Sequence, residues 1–205
     1  MKRVTNKKGK FNYITDNGDI LYKSEWLDFL GGFYNGYASI QTAKGWNWID
    51  MQGHLLFPNE WFQSIATCIV CNIAIVHPFN EKWQFRKLNG DLLTPLTFDY
   101  YERFQEGFAE IYDKQKGWNF IDTKGNILSP NMWFDSSDYF ENDFGVVFLK
   151  QKGWNLINTK GNLLSPNMWF DEIIDYLENE NDVIKVRVKN DYYTITAMGE
   201  IQKLS

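Results

Sequence analysis

Two cysteines, two histidines and a set of carboxylates are the side chains of this sequence that could do chemistry. Cys68 and Cys71 have the Cys-x-x-Cys spacing of a zinc or thiol–disulfide pair. Zinc would need two further ligands, and His54 and His77 are the two histidines that could supply them. The pair lies in an apolar run that starts at Ile65, where a free cysteine behaves as a small hydrophobic residue. We therefore predict structural cysteines, no metal and no cofactor.

The carboxylates follow a pattern that is not catalytic. No motif places a serine or cysteine nucleophile beside a histidine, so we predict that the protein is not an enzyme. The acidic residues gather instead in three connecting stretches: Asp99, Glu102 and Glu106; Asp135, Asp138, Glu141 and Asp143; and Asp171, Glu172, Asp175, Glu178, Glu180 and Asp182. Lysines gather in the opposite turns, among them Lys44, Lys82, Lys114, Lys116, Lys150, Lys152 and Lys189.

If these stretches stack in register, one edge of the molecule becomes acidic and another becomes basic, because aligned like charges create an extended field. The alternative is a set of ordinary solvated loops. The acidic edge supplies the candidate binding residues, which are Asp135, Asp138, Asp171, Asp175 and Glu178. These residues would engage a basic surface of a partner protein.

Six glycines at nearly constant spacing reveal the organisation that must position these charges. They are separated by 35, 37, 35, 36 and 38 residues and are Gly18, Gly53, Gly90, Gly125, Gly161 and Gly199. Self-similarity at a fixed period is the signature of a repeat architecture. We predict a single repeat domain over residues 1–205, with units at approximately 1–30, 31–65, 66–101, 102–137, 138–175 and 176–205.

The two closest copies, residues 116–135 and 152–171, predict the structure of the unit. Residues 118–121 alternate like a half-buried strand, and 122–125 fit a tight turn whose glycine takes the left-handed conformation. Residues 127–128 predict the hairpin partner, which ends at Pro130 because proline cannot donate to the ladder.

A further strand precedes the tryptophan strand, with examples at residues 37–40, 73–76, 108–112 and 145–149. The connecting stretches are predicted as loop or helical turn, and residues 171–177 are the best candidate for a short helix. The fold class that follows is all-β: six tandem repeats of about 36 residues, each a three-stranded antiparallel unit, stacked as an open twisted β-array. A closed six-bladed propeller is the alternative.

One family has the same phrase. The run GWNFIDTKG at residues 117–125, followed by Pro130 and by Phe134-Asp135, resembles the bacterial WG (KWG) repeat, and so does the lead-in FxxGFAxI at 104–111. The family's Trp-Gly is Trp-Asn here, and we expect asparagine to keep the same backbone because it tolerates positive φ better than most residues. The resemblance covers almost the whole chain and implies an all-β repeat fold with a binding or scaffolding role. It brings no catalytic residues.

Tryptophan offers a second kind of surface. Aromatic residues make up 18% of the chain and nine of them are tryptophan. Six tryptophans form two ladders, Trp46, Trp118 and Trp154, and Trp61, Trp133 and Trp169. We predict that each repeat buries these rings against the next one. The alternative is an exposed aromatic row on which sugar rings or bases stack.

Composition bounds the location and the partner. The net charge of −5 argues against direct nucleic-acid binding, since nucleic-acid-binding proteins usually present a basic face. No apolar stretch approaches the roughly 18 residues of a membrane span. The first residues do not lead into the apolar core of a secretory signal, so we expect no cleaved leader. With two cysteines and no disulfide framework, we predict a cytoplasmic protein.

Three functions fit these features. The first is a non-enzymatic protein-binding scaffold, including an inhibitor that occupies a basic groove on a larger partner through its acidic edge. The second is a glycan or small-ligand binding module that uses exposed tryptophan. The third is an enzyme whose site the sequence does not reveal.

Overall fold

The computed structural model describes residues 1–141, 143–177, 183–196 and 198–204. Throughout these ranges the regular secondary structure is β-strand, without a helix. The described strands form six antiparallel sheets of two to four strands, which confirms the predicted all-β class. Nothing in these ranges forms a helix with the length and apolar character that a membrane crossing requires.

The chain divides into two compact units, Met1–Thr97 and Phe98–Ser205. The strands of the first unit are β1 (Lys2–Thr5), β2 (Phe11–Ile14), β3 (Phe29–Tyr34), β4 (Tyr37–Thr42), β5 (Gly45–Asp50), β6 (Ser64–Ile65), β7 (Ile73–His77) and β8 (Gln84–Lys87). They pair as β1-β2, β3-β4-β5 and β6-β7-β8. The single domain over 1–205 stays a prediction.

The second unit continues the same plan. Its strands are β9 (Tyr100–Tyr101), β10 (Phe108–Asp113), β11 (Gly117–Asp122), β12 (Ser136–Glu141), β13 (Phe144–Leu149), β14 (Gly153–Asn158), β15 (Glu172–Leu177), β16 (Val183–Val188), β17 (Asp191–Thr196) and β18 (Ile201–Lys203). They pair as β9-β10-β11, β12-β13-β14 and β15-β16-β17-β18.

The two strands and the turn predicted from the closest copies are confirmed. Residues 118–121 lie in β11 and residues 108–112 lie in β10, and the two strands pair in register from Phe108↔Asp122 to Asp113↔Gly117. The turn after β11 closes with a hydrogen bond from Gly125 N to Asp122 O of 3.0 Å. All six recurring glycines have positive φ, so the left-handed position requires glycine.

Some of these glycines also set how successive repeats pack within a unit. A Cβ at Gly53 would lie 2.2 Å from Leu21 O, and a Cβ at Gly161 would lie 2.0 Å from Leu128 O. In both cases the contact is with the backbone of the preceding repeat. Each of these glycines therefore makes a turn and lets its repeat approach the preceding repeat closely.

The predicted hairpin partner forms a strand in the last copy, where β18 pairs with β17, but in the three-stranded sheets the third strand is not the predicted one. Residues 127–128 form only an isolated bridge, Ile121↔Ile127, and the third strand comes instead from the connecting stretch before the lead-in strand, as β9, β12 and β15. The chain leaves the ladder after Leu128. The N–H of Ser129 donates to the Asn119 side chain, at 3.2 Å from Oδ1, instead of to the backbone of β11. Each sheet after the first therefore starts before or across the predicted unit boundary.

The predicted short helix at residues 171–177 is wrong. Residues 172–177 are strand β15, which pairs with β16. Ile173 pairs with Val186 and Asp175 pairs with Lys185, so Ile174 is the extra residue of a bulge. The bulge breaks the alternation of a regular strand, which is why the isoleucine spacing resembled one face of a helix.

Each unit has its own apolar clusters, shared by successive sheets. In the first unit, one cluster joins Trp48 and Phe62 to Val76 of the next sheet. In the second unit, Phe120 and Phe134 pack with Phe140 and Val147 of the following repeat. Successive repeats therefore bury apolar side chains against each other within each unit.

Candidate functional site

The aspartates of the predicted acidic edge cap hairpin turns. Asp135 Oδ2 accepts the backbone N–H of Lys150 at 2.8 Å, and the Lys150 ammonium lies 4.0 Å from the same carboxylate. Asp99 has the same relation to Lys114, and Asp171 Oδ2 accepts the N–H of Lys189. Acid and base are therefore neighbours in these repeats. The predicted separation of acidic and basic residues onto two edges is wrong here. In each hairpin the turn lysine lies next to the aspartate that precedes the hairpin.

The other predicted binding residues lie elsewhere. Asp138 is exposed at a bulge in β12, where its Oδ1 accepts the N–H of Tyr139 at 2.9 Å. Asp175 lies in β15, but its side chain is outside the described part of the structure. Glu178 lies outside the described residues. Asp138 lines a cavity, and that cavity is the candidate site.

The cavity is a cleft of about 570 Å³ lined by residues of β10, β11 and β12 and of the segment before β10. Its acidic lining is Glu102, Glu110, Asp138 and Glu141. The remaining lining residues are Arg103, Gln105, Trp118, Ser137 and Tyr139. Four carboxylates face one guanidinium, so the cleft has a negative potential at neutral pH.

Glu110 is the buried member of this set, at 7% exposed. It lies in the middle of β10, and its Oε2 accepts a hydrogen bond of 2.6 Å from Ser137 Oγ in β12. Burial raises the pKa of Glu110, and the nearby carboxylates of Asp138 and Glu102 raise it further, against the hydrogen bond from Ser137. A buried carboxylate among like charges is costly to ionise without a cation.

An aromatic wall completes the cleft. Trp118 is half-buried and packs against Tyr112, with ring centroids 5.0 Å apart, and against the edge of Tyr100 at 5.8 Å. The hydroxyl of Tyr100 donates a 2.5 Å hydrogen bond to Glu102 Oε1, and this hydrogen bond, followed by burial, raises the pKa of Tyr100. The Glu102 carboxylate is thereby held beside the aromatic rings. Carboxylates next to aromatic faces are suited to an organic cation.

The bulge in β12 explains why Asp138 reaches the cleft. Asp138 pairs with Val146 while Phe140 pairs with Gly145, so Tyr139 is the extra residue and is 49% exposed. A bulge re-aims the side chains beside it and is common next to binding sites. Phe140 on the far side of the bulge is buried and anchors the strand.

Sequence reasoning missed Glu110, although the repeat contains the signal. The register places Ser39, Ile75, Val146 and Lys185 at the same point of their lead-in strands as Glu110. Ser39, Ile75 and Val146 are buried there, like Glu110. A carboxylate at a position that is small or apolar in β4, β7 and β13 stands out once the copies are aligned on their strands rather than on their glycines.

The tryptophan ladders lie at the margin of the core, so the prediction that they are core holds only in part: Trp46, Trp61, Trp118, Trp154 and Trp169 pack against apolar clusters. All six members are half-buried, whereas the large fully buried rings include Trp48, Phe62, Phe120, Phe134 and Phe170. In the second ladder a lysine ammonium lies over the ring in each copy, at 5.8 Å for Lys44–Trp61, 5.2 Å for Lys116–Trp133 and 5.3 Å for Lys152–Trp169. These rings are covered by lysine side chains that remain in contact with water.

The cysteines do not form a site in the described structure. Both thiols are free, Cys68 is half-buried and Cys71 is exposed. Cys71 and Asn72 have φ of 53° and 59° and form the two-residue turn before β7. The turn holds Cys71 outside the core, so Cys71 does not act as the small hydrophobic residue that the apolar run predicts. The described residues also contain no group of three His, Cys, Asp or Glu side chains able to hold a metal ion.

No protein-family model matches the chain, and no curated protein sequence matches it. Among solved structures it is similar to the computationally designed Ika8 protein, with 12% identity and a TM-score of 0.41 over 95% of this chain and 67% of that one. It is similar to BamB from Moraxella catarrhalis, with 10% identity and a TM-score of 0.39 over 98% of this chain and 65% of BamB. The WD40 β-propeller domain of Doa1 gives 10% identity and a TM-score of 0.33 over 96% of this chain and 75% of that one. The likeness is one of all-β organisation.

Proposed function

We propose that this protein is a non-enzymatic protein-binding module that captures a basic segment of a partner in the cleft between β10 and β12. The observation that carries the proposal is the uncompensated acidity of this cleft, where four carboxylates accompany one arginine. Charged clefts attract partners of opposite charge and align them on binding. The aspartates that cap hairpins, such as Asp135, contribute to the fold rather than to this contact.

The repeat organisation supports a binding role. Repeat arrays are stabilised by packing between neighbours, so individual surface positions can change without loss of the fold. The position of Glu110 illustrates this freedom, because it holds serine, isoleucine, valine or lysine in other repeats. The proposal retains membership of the WG repeat family and the absence of catalysis.

A partner whose basic segment is its own working surface would be inhibited by capture. The inhibitor hypothesis therefore belongs to this proposal. The acidic surface that would bind the partner is the cleft, not an outer edge of the repeats. The cytoplasmic location belongs to it as well and is supported by the two free thiols, because thiols persist in reducing compartments.

An array of random 15-residue peptides tests the proposal. We expect the intact protein to enrich peptides with net positive charge, and we expect the double variant Glu110→Gln/Asp138→Asn to lose that enrichment. The control is Glu200→Gln, which removes one exposed carboxylate outside the cleft. Enrichment of basic peptides that persists in the double variant would contradict the proposal, as would an array without charge preference.

Glycan binding is the second candidate, favoured by the half-buried Trp118 in the wall of a cleft that also holds carboxylates. Sugar sites combine an aromatic platform with hydrogen-bonding acids. Neutral oligosaccharides that bind in the cleft would perturb the Trp118 indole N–H in nuclear magnetic resonance spectra. Perturbation by neutral sugars with no response to basic peptides would favour this candidate.

A further inference from the structure

Glu110 occupies a strand position that holds no carboxylate in the equivalent strands of the other sheets. In the equivalent strand β13 the residue is Val146, which is 6% exposed and belongs to an apolar cluster. In β4 it is Ser39, also buried. The fold is therefore built in neighbouring copies without an acid here. Burying one in this copy has a cost, and a ligand can offset it.

The Glu110 side chain is only partly satisfied. Its Oε2 accepts from Ser137 Oγ, while no donor among the described residues reaches Oε1. No lysine or arginine among them forms an ion pair with Glu110, and the charges that act on it are the carboxylates of Asp138 and Glu102. A side chain more than nine-tenths buried therefore lines the cleft with a carboxylate that has one hydrogen-bond donor among the described residues.

The aromatic wall indicates which kind of cation would fit the cleft. Trp118 lines the cleft, and Tyr100 holds Glu102 beside it through its hydroxyl. A guanidinium is planar, stacks on aromatic rings and presents several N–H donors to more than one carboxylate. An ammonium is more strongly hydrated and does not stack in this way. The lining therefore favours arginine over lysine.

We propose that the cleft is a receptor for a single arginine side chain of the partner, with Glu110 as the buried counter-charge and Trp118 as the stacking wall. The inference rests on the proposed function and names the group that this function recognises. Asp138 and Glu102 then contact the outer N–H groups of the same guanidinium. Arg103 also lines the cleft, and its positive charge would repel the guanidinium of the ligand.

The test is a nuclear magnetic resonance titration of the intact protein with three blocked amino acids of matched shape. Nα-acetyl-arginine N-methylamide should shift the Trp118 indole N–H and the Tyr139 amide signals. The citrulline analogue, which keeps the shape and lacks the charge, should leave both signals unchanged. The lysine analogue should bind at least about threefold more weakly than the arginine probe, because an ammonium does not stack on the ring or bridge two carboxylates.

Variants locate the binding. Glu110→Gln should weaken the arginine probe about tenfold by removing the charge-assisted hydrogen bonds. Glu110→Val, which installs the residue of β13, should remove binding while the chain remains folded. Glu200→Gln should leave the affinity unchanged. Equal binding of citrulline, equal binding of lysine, unchanged affinity in Glu110→Gln, or the same shifts on addition of calcium chloride would each overturn the inference.

The outcomes separate the inference from the proposed function. If basic peptides bind through the cleft but the arginine probe shows no preference over lysine, the arginine receptor is wrong and the protein-binding module stands. If the arginine probe occupies the cleft and no basic peptide binds, the protein-binding module is wrong and the site recognises a small guanidinium compound.

Discussion

The side chain of Asn119 ties β11 to the loop that follows it, with Nδ2 2.7 Å from Ser129 O. The same nitrogen donates to Met132 O at 3.0 Å, and Oδ1 accepts from Phe120 N at 2.8 Å and Ser129 N at 3.2 Å. Asn47 and Asn155 make the equivalent bonds ten and thirteen residues along the chain. Asn119 does not take a positive φ, so the expected backbone role is wrong and its side chain is what the repeat uses.

Replacement of Asn119 by glycine, the residue of the WG repeat, should therefore destabilise the protein. Asn119 is fully buried, and its loss leaves loop carbonyls and N–H groups without partners, at about 1–3 kcal/mol for each unsatisfied group. Urea unfolding should show a lower midpoint. The matched control is Asn131→Gly in the same loop, which is exposed and should change the midpoint little. An unchanged midpoint for Asn119→Gly would contradict the clamp.

Gly117→Ala should unfold more readily than Gly90→Ala. A Cβ at Gly117 would lie 2.2 Å from Phe134 O, and φ is +106°. Gly90 also has positive φ, at +95°, but has no atom within 4 Å of its Cβ position. The Gly90 variant should therefore cost only the backbone strain, about 1 kcal/mol, and the Gly117 variant more. Thermal unfolding measures both, and equal shifts would show that the close contact relaxes without cost.

Glu110→Val should raise the free energy of unfolding by about 1 kcal/mol while removing cation binding, since binding sites often sacrifice stability for function. The substitution replaces a buried carboxylate with the residue that β13 holds at the same register. Chemical denaturation of the unliganded protein checks the stability. A marked loss of stability would mean that Glu110 serves the fold, and the site would lose its main support.

The effect of Glu110 on stability should depend on pH in a defined direction. Burial raises the pKa of Glu110 in the folded state above its ordinary value of 4.5. The folded state then binds the proton more tightly than the unfolded state, so stability falls as pH rises from 4.5 through the folded pKa. Glu110→Gln should therefore gain stability over the parent protein as pH increases through this window. A difference that stays constant from pH 4 to 8 would contradict the assignment.

The contribution of Asp122 to stability should depend on pH in the opposite direction. Burial acts to raise its pKa, but hydrogen bonds from the backbone of Asn126 and Lys124 and the side chain of Asn126 hold it below 3.8. Its contribution is complete above 3.8 and is lost as pH falls through the folded pKa. Asp122→Asn should remove this acid dependence and keep the turn, because Asn158 caps the equivalent turn in the next repeat. Asp122→Ala should cost about 1 kcal/mol at neutral pH.

The sequence by itself determined the repeat, its period and its turns. Glycine at a left-handed position and alternation in the tryptophan strand are local requirements, and local requirements are visible in a single copy. The resemblance of residues 116–135 to 152–171 showed that equivalent residues occupy equivalent surroundings. For these reasons the all-β class and the paired strands β10 and β11 were predictable.

The tertiary structure alone decided which strand completes each sheet and which acids come together. Ser137 of β12 reaches Glu110 in the preceding sheet, and the bulge at Tyr139 turns Asp138 toward the same cleft. Asp135 instead caps a hairpin turn by accepting the N–H of Lys150. Spacing along the chain did not distinguish these acids, because their roles depend on strand pairing and on the neighbour that the fold places beside each carboxylate.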